Sequence, residues 1–188
     1  MRFVILACAL LFGLPAHALD PSSSGIGKTY AATGTVQVAF TPGDNADGMI
    51  VAAIRGARRQ ILVQAFSFTH RKIARALVAA QKSGIDVQLI ADARQTERLE
   101  NSAVPQIAAG GVAVFLDDNH DSAHNKVMVI DAGSADAAII TGSYNFTHAA
   151  QFNNAENVLL LRGNPQLADA YRQNWQRHRD HAQPYRKR

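Results

Sequence analysis

Apolar positions recur along this chain with two periods, and the two alternate. Val36, Val38 and Phe40 are spaced two apart, the period of a strand. Ala46, Met49, Ile50, Ala53 and Ile54 fall on one side of a helix. The run "QILVQAFSF" (60–68) reads as a buried strand. It is followed by a helix over 70–84, "HRKIARALVAAQKSG", with Ile73, Ala74, Leu77 and Val78 inward and Gly84 as its stop. A strand is predicted at "DVQLIAD" (86–92), then one polar helix over 94–109 ending at Gly110-Gly111, then a strand at "VAVFL" (112–116). "KVMVID" and "AAIITG" form a strand pair joined by "AGSAD", and "ENVLLLR" (156–162) is a further strand. Asn164 and Pro165 supply the N-cap and first position of a last helix, with Leu167, Tyr171 and Trp175 on its inner face. Short buried strands alternating with helices predict an α/β layered domain.

The N-terminus departs from this pattern. Arg2, the apolar run Val4 to Leu14 and Ala16-His17-Ala18 predict a secretory signal over residues 1–18. Residues 19–33 are rich in Ser and Gly and form a flexible lead-in, leaving 34–188 as a single domain. Within the lead-in, "SSSGIGKT" (22–29) comes near a phosphate-binding loop, but a buried strand is missing before it and a strand pattern follows where a helix is needed. The expected location is periplasmic or secreted, with no transmembrane segment in the mature chain. Cys8 is the one cysteine and leaves with the signal, which excludes a disulfide, a thiolate nucleophile and a Cys-based metal site.

Charge narrows the partners. The 188 residues carry a net charge of +4, which favours an anionic partner. The C-terminal stretch adds Arg172, Arg177, Arg179, Arg186, Lys187 and Arg188 among aromatic residues. That stretch has two readings, a phosphate-backbone contact and an amphipathic helix with a solvated face; Tyr171 and Trp175, at core spacing, favour the second.

The candidate chemistry is concentrated in "HNKVMVID", residues 124–131. Strand alternation puts His124 and Lys126 on one face at the mouth of a strand, with Met128 and Ile130 continuing that face into the core. Asp131 has the opposite parity and reads as a supporting group. Downstream, "TGSYNFT" (141–147) ends a strand at Gly142-Ser143, where a short helix is expected to begin, and Ser143 and Asn145 offer side-chain donors beside free backbone N–H groups. Glu156 in "NNAEN" stands at the entrance of the next strand, and a carboxylate there can fix a histidine's tautomer. A histidine, a lysine, amide donors and a carboxylate suit imidazole attack on phosphorus, with Lys126 and Asn145 on the nonbridging oxygens. No cofactor and no functional metal are expected. "HDSAH", with His120, Asp121 and His124, has loose metal-ligand spacing and no further ligand motif nearby.

The H-x-K-x4-D motif of "HNKVMVID", together with "GSYNFT" and "NNAEN", resembles the phospholipase D superfamily, in particular its small bacterial single-motif endonuclease branch. The likeness runs from about Phe40 to Arg177. It implies a mixed β-sheet with helices on both faces, an α/β/α sandwich. It implies that His124 is the nucleophile of a phosphohistidine intermediate, that Lys126 and Asn145 contact the phosphate with Ser143 close by, that Glu156 orients the histidine, that Asp131 belongs to the catalytic motif as support, and that the chemistry is metal-independent. Ten residues separate Asp131 from Gly142, more than is usual in that family, and the surplus is expected to lengthen the hairpin turn.

One H-x-K unit implies a second chain. In-line displacement needs a nucleophile on one side of phosphorus and an acid on the other, so a homodimer sharing one site is expected. His70, His120 and His148 are the internal alternatives for the acid. The substrate readings are DNA or RNA, cut without strong sequence preference, or phospholipid headgroups. A binding protein with an inactive site would have lost His124 or Lys126. An enzyme working on phospholipid gains from an exposed apolar surface, and none is evident once the leader is removed.

Overall fold

The computed structural model describes residues 27–186. The expected signal and most of the expected lead-in lie outside the described residues. Residues 27–33 have no regular structure, yet their end is fastened: Asn164 Nδ2 donates to the Ala31 carbonyl at 2.8 Å.

The core is one eight-stranded mixed sheet. Its strands are β1 (Thr35–Thr41), β2 (Gln60–Ala65), β3 (Asp86–Asp92), β4 (Ala113–Asp117), β5 (Lys126–Ile130), β6 (Ala138–Gly142), β7 (Glu156–Arg162) and β8 (Gln183–Pro184). They are ordered β1-β7-β6-β5-β2-β3-β4-β8. The β2, β3 and β4 strands are parallel, and all other pairings are antiparallel.

The helices are α1 (Ala46–Arg55), α2 (Arg71–Lys82), α3 (Ala93–Arg98), α4 (Val104–Ala109), α5 (His148–Phe152) and α6 (Pro165–His181). Two apolar layers follow from strand alternation. Met128 and Ile130 of β5 face one layer with Ile50, Ile73, Leu77 and Ile107 of α1, α2 and α4. Val127 and Val129 face the other layer, with Ala168 and Trp175 of α6. Trp175 also donates its buried Nε1–H to the Val63 carbonyl at 2.9 Å. A mixed sheet with helices on both faces is the α/β sandwich expected from the sequence.

Four local expectations are corrected. The single helix over 94–109 is two helices. The Asp92 carboxylate caps α3 through Gln95 N, the chain leaves helical geometry at Leu99, and Pro105 opens α4. The helix expected to begin near Gly142-Ser143 begins at His148 with Thr147 as its cap; the intervening residues instead bury Tyr144 and Phe146. The β8 edge strand was not predicted.

The fourth correction concerns the surface. Val36, Val38 and Phe40 share a face as their spacing requires, but it points outward, with exposures of 65%, 47% and 59%, while Ala39 and Thr41 point in. Phe152 of the adjacent α5 is also 54% exposed. An exposed apolar surface is therefore present, contrary to expectation.

Candidate active site

The strand order brings one end of each of β2, β5, β6, β7 and β1 to the same edge of the sheet. Ala65, the last residue of β2, pairs with Lys126, the first of β5. The β5–β6 register, Met128 with Ile140 and Ile130 with Ala138, returns Gly142 to the level of Lys126. Gly142 pairs with Val158, and Glu156 pairs with Thr41 of β1. The residues between Ile130 and Ala138 form the turn at the far end of this strand pair.

At this edge His124 is exposed, and Lys126 beside it is only 7% exposed. Lys126 Nζ lies 2.8 Å from His124 Nδ1 and donates to the His124 carbonyl at 2.7 Å. Phe66, one residue past β2, backs both groups. Its ring centroid is 4.3 Å from the imidazole and 5.0 Å from Lys126 Nζ, and its N–H donates to Asn125 O at 2.9 Å. Burial pushes the Lys126 ammonium down to about 8, against the opposing pull of the Glu156 carboxylate.

Ser143 and Glu156 are brought together. Ser143 Oγ donates to Glu156 Oε2 at 2.5 Å and accepts from Asn157 N at 3.1 Å, while Asn154 Nδ2 donates to Glu156 Oε1 at 3.0 Å. The carboxylate is thus held on the strand mouth, near enough for its charge to act on Lys126, and its hydrogen bonds go to Ser143 and Asn154. None of the hydrogen bonds among the described residues joins it to His124. Gly142 makes this possible. At φ 150° it lets the Ser143 N–H reach Asn157 O at 3.1 Å, where a Cβ on residue 142 would stand 2.2 Å from that oxygen. Asn145 is half-buried, and its Oδ1 is buried without a hydrogen-bond partner.

Asp131 does not join this group. It lies at the other end of β5, five residues from Lys126 and so roughly 16 Å away at strand rise. Its carboxylate accepts from the backbone N–H groups of Arg58, Arg59 and Gln60 at 2.8, 2.8 and 2.9 Å. Asp131 fastens the α1–β2 turn, a supporting position apart from the His124 group. The cavity of about 550 Å³ lined by Arg58, Arg59, Asp131 and Arg162 lies at that same far end and includes none of the residues around His124.

Two residues were missed in the sequence. Phe66 carries no motif signal. Asp92 does, since an acid at a strand end before a helix is a cap signature. Its Oδ2 accepts from Ala123 N at 2.9 Å and so anchors the residue immediately before His124.

The other histidines are engaged elsewhere. His70 is buried, with Nε2 3.4 Å from Asp47, and burial lowers its pKa. The His148 ring stacks 4.4 Å from Phe152. His120 Nδ1 meets Asp117 at 3.0 Å, and Asp121 extends to solvent beside Arg94, away from the loose His120–Asp121–His124 spacing of the sequence. In the C-terminal region, Arg172 pairs with Asp169 at 2.6 Å and Arg179 stacks over Phe115 at 3.5 Å, which favours the reading of a solvated helix face.

Residues 50–179 match a family model described as "Cardiolipin synthase, PLD-like domain". A phospholipase D from Rickettsia bellii is 33% identical over 159 residues, covering 85% of this chain and 76% of its own length. A mitochondrial cardiolipin hydrolase from Xenopus laevis is 28% identical, covering 71% of this chain and 61% of its own. Among solved structures, Nuc from Salmonella typhimurium, a phospholipase D family member, superposes with a TM-score of 0.75 at 34% identity, covering 81% of this chain and 99% of that one. NucT from Helicobacter pylori, at 23% identity and TM-score 0.71, shares the fold.

Proposed function

The chain belongs to the phospholipase D superfamily, and from that premise we propose that it is a metal-independent phosphodiesterase that hydrolyses DNA or RNA through a phosphohistidine intermediate at His124. The observation that carries this reading is the exposed His124 imidazole with the Lys126 ammonium 2.8 Å away. In the first step a ring nitrogen of His124 forms a bond to phosphorus as the P–O bond to one nucleoside breaks, and the leaving oxygen takes a proton from a second imidazole. In the second step water, deprotonated by that second imidazole, attacks phosphorus and releases His124. Lys126 and the side-chain N–H of Asn145 donate to the nonbridging oxygens, where charge accumulates. Glu156, tied to Ser143 and Asn154, supplies a fixed negative charge beside this pair.

The second imidazole comes from a second copy of the chain. His70, His120 and His148 are each packed against other partners, and His124 stands on open surface. The apolar stripe Val36, Val38 and Phe40 runs along the edge strand to Phe40, which pairs with Asn157 next to Glu156. An exposed apolar patch of this kind marks a contact surface, and a twofold axis at this edge would bring two His124 residues together. The charged start, apolar run and Ala16-His17-Ala18 of residues 1–18 support a periplasmic or secreted location for the working protein.

Hydrolysis of phospholipid headgroups is the second reading. The curated relatives named phospholipase D favour it, and so does the same apolar stripe, which would meet a bilayer surface. The chain spans from 65% to 76% of the length of the five rickettsial relatives.

The deciding experiment is nicking of plasmid and of RNA by untagged protein in excess EDTA. It is run at a temperature where the chelated protein keeps its circular-dichroism spectrum, beside His124→Asn and beside choline release from phosphatidylcholine vesicles. Nucleic-acid cutting that persists in EDTA and vanishes in His124→Asn is expected. Headgroup release without cutting transfers the activity to phospholipid, and cutting abolished by EDTA overturns the mechanism.

A further inference from the structure

A second constellation lies outside the His124 group. Asp117 ends β4 with a side chain that is 0% exposed. Three imidazoles converge on its carboxylate: His120 Nδ1 at 3.0 Å, His178 Nδ1 at 3.0 Å and His181 Nε2 at 3.2 Å. The four ligand atoms all lie within 4.8 Å of one another, and the ring centroids are 4.9, 5.1 and 5.5 Å apart. His178 and His181 project together because they are three apart in the last turn of α6.

We propose that Asp117, His120, His178 and His181 form a binding site for a zinc-class transition-metal dication, which clasps the end of α6 to the loop that leads into His124. The donor set is one carboxylate oxygen and three imidazole nitrogens. That set suits tetrahedral Zn²⁺, with Co²⁺ and Ni²⁺ as substitutes, and disfavours Ca²⁺ and Mg²⁺, which take oxygen. Tetrahedral bonds of about 2.0–2.1 Å put neighbouring donors roughly 3.4 Å apart, so a small inward movement of the side chains closes the site. A buried carboxylate facing three imidazoles is otherwise held only by hydrogen bonds that require a proton on each facing nitrogen. A dication replaces those protons and brings the four groups into one coordination sphere.

The position gives the site a task. Asp117 Oδ1 also accepts from Asn119 N at 3.1 Å, and Asp92 Oδ2 accepts from Ala123 N at 2.9 Å, so the segment between β4 and His124 is tied at both ends. The ion would fix its middle, through His120, to α6 and to the adjoining β8 edge. Its role is structural: it holds the approach to His124 and contributes no group to the reacting phosphate.

The test uses untagged full-length protein stripped with chelator and titrated with ZnCl₂ by calorimetry and with CoCl₂ by visible absorption. We expect about one equivalent bound with release of protons, the intense visible bands of tetrahedral Co²⁺, and a Tm raised by Zn²⁺. Asp117→Asn risks misfolding because its side chain is buried, so the variants are His120→Ala and His181→Ala, whose side chains are partly exposed and whose folding is checked by circular dichroism. Each should weaken Zn²⁺ binding by more than tenfold and abolish the Tm gain, while His124→Asn keeps both. No binding by the intact protein overturns the proposal. So does binding undiminished in the folded His120→Ala and His181→Ala variants, or binding lost in His124→Asn.

Discussion

Lys126 Nζ sits 2.8 Å from His124 Nδ1 and 2.7 Å from the carbonyl oxygen of the same residue. The ammonium therefore has two acceptors on the histidine it serves. While it donates to Nδ1, a neutral ring keeps its proton on Nε2. A phosphate oxygen arriving beside Lys126 offers a stronger, charged acceptor. Withdrawal of the ammonium to that oxygen releases Nδ1 to hold the proton and leaves the Nε2 lone pair free for phosphorus. On the proposed mechanism, Lys126 would thereby couple substrate arrival to readiness of His124 as nucleophile. Lys126→Met is expected to lower kcat/KM by more than a hundredfold, about 3 kcal/mol of transition-state stabilisation, and the check is single-turnover hydrolysis.

The lowered Lys126 pKa sets a pH limit. With a value of about 8 in the folded chain against 10.5 ordinarily, the ammonium is lost from the free enzyme above pH 8. kcat/KM should fall on that basic limb, and the limb in kcat should lie higher because bound phosphate favours the charged form. Stability moves the other way. Between about pH 8 and 10.5 the unfolded chain binds a proton that the folded chain does not, so this residue's contribution makes stability rise with pH through that window. Urea midpoints of the protein and of Lys126→Met across this range measure the difference, which should be absent from the variant.

Asp131 should behave as a structural residue. Asp131→Ala leaves three backbone N–H groups without their acceptor, at a cost of roughly 2–3 kcal/mol, and it places alanine at φ 51°. Equilibrium unfolding should show the loss, while kcat of the folded fraction stays within about twofold of the parent.

Gly142→Ala should damage the site and not merely loosen the fold. A Cβ 2.2 Å from Asn157 O forces β6 and β7 apart at the point where Ser143 meets Glu156. The expected result is a fall in kcat of more than tenfold, larger than the change in KM, measured on protein shown to be folded.

Phe40→Glu, alone or with Val38→Asp, tests the shared site. Sedimentation equilibrium should show a monomer, and activity should fall together with assembly. A dimer that persists, or an active monomer, removes the twofold site.

The histidine–lysine pair was legible because strand period fixes which side chains share a face, and two residues suffice for that. The same reasoning set Asp131 apart by parity, though only the β5 geometry shows that its carboxylate serves the α1–β2 turn. Period does not say which face is inward. Val36, Val38 and Phe40 alternate correctly and point to solvent, because β1 is an edge strand whose inner positions are Ala39 and Thr41. The break between α3 and α4 carried a signal, Pro105, that a continuous polar pattern concealed. The Asp117 cluster carried none: its partners His178 and His181 are 61 and 64 residues away and meet it only through docking of α6.

The turn between β5 and β6 gives the molecule a site of tolerance. The strands fix their register from Ile130 and Ala138 inward toward Lys126, so chain length beyond that point is not transmitted to the catalytic edge. Ala135 and Asp136 are exposed at the tip. A fluorophore or short peptide inserted between them would report on the protein's location or assembly from the end of the sheet remote from His124.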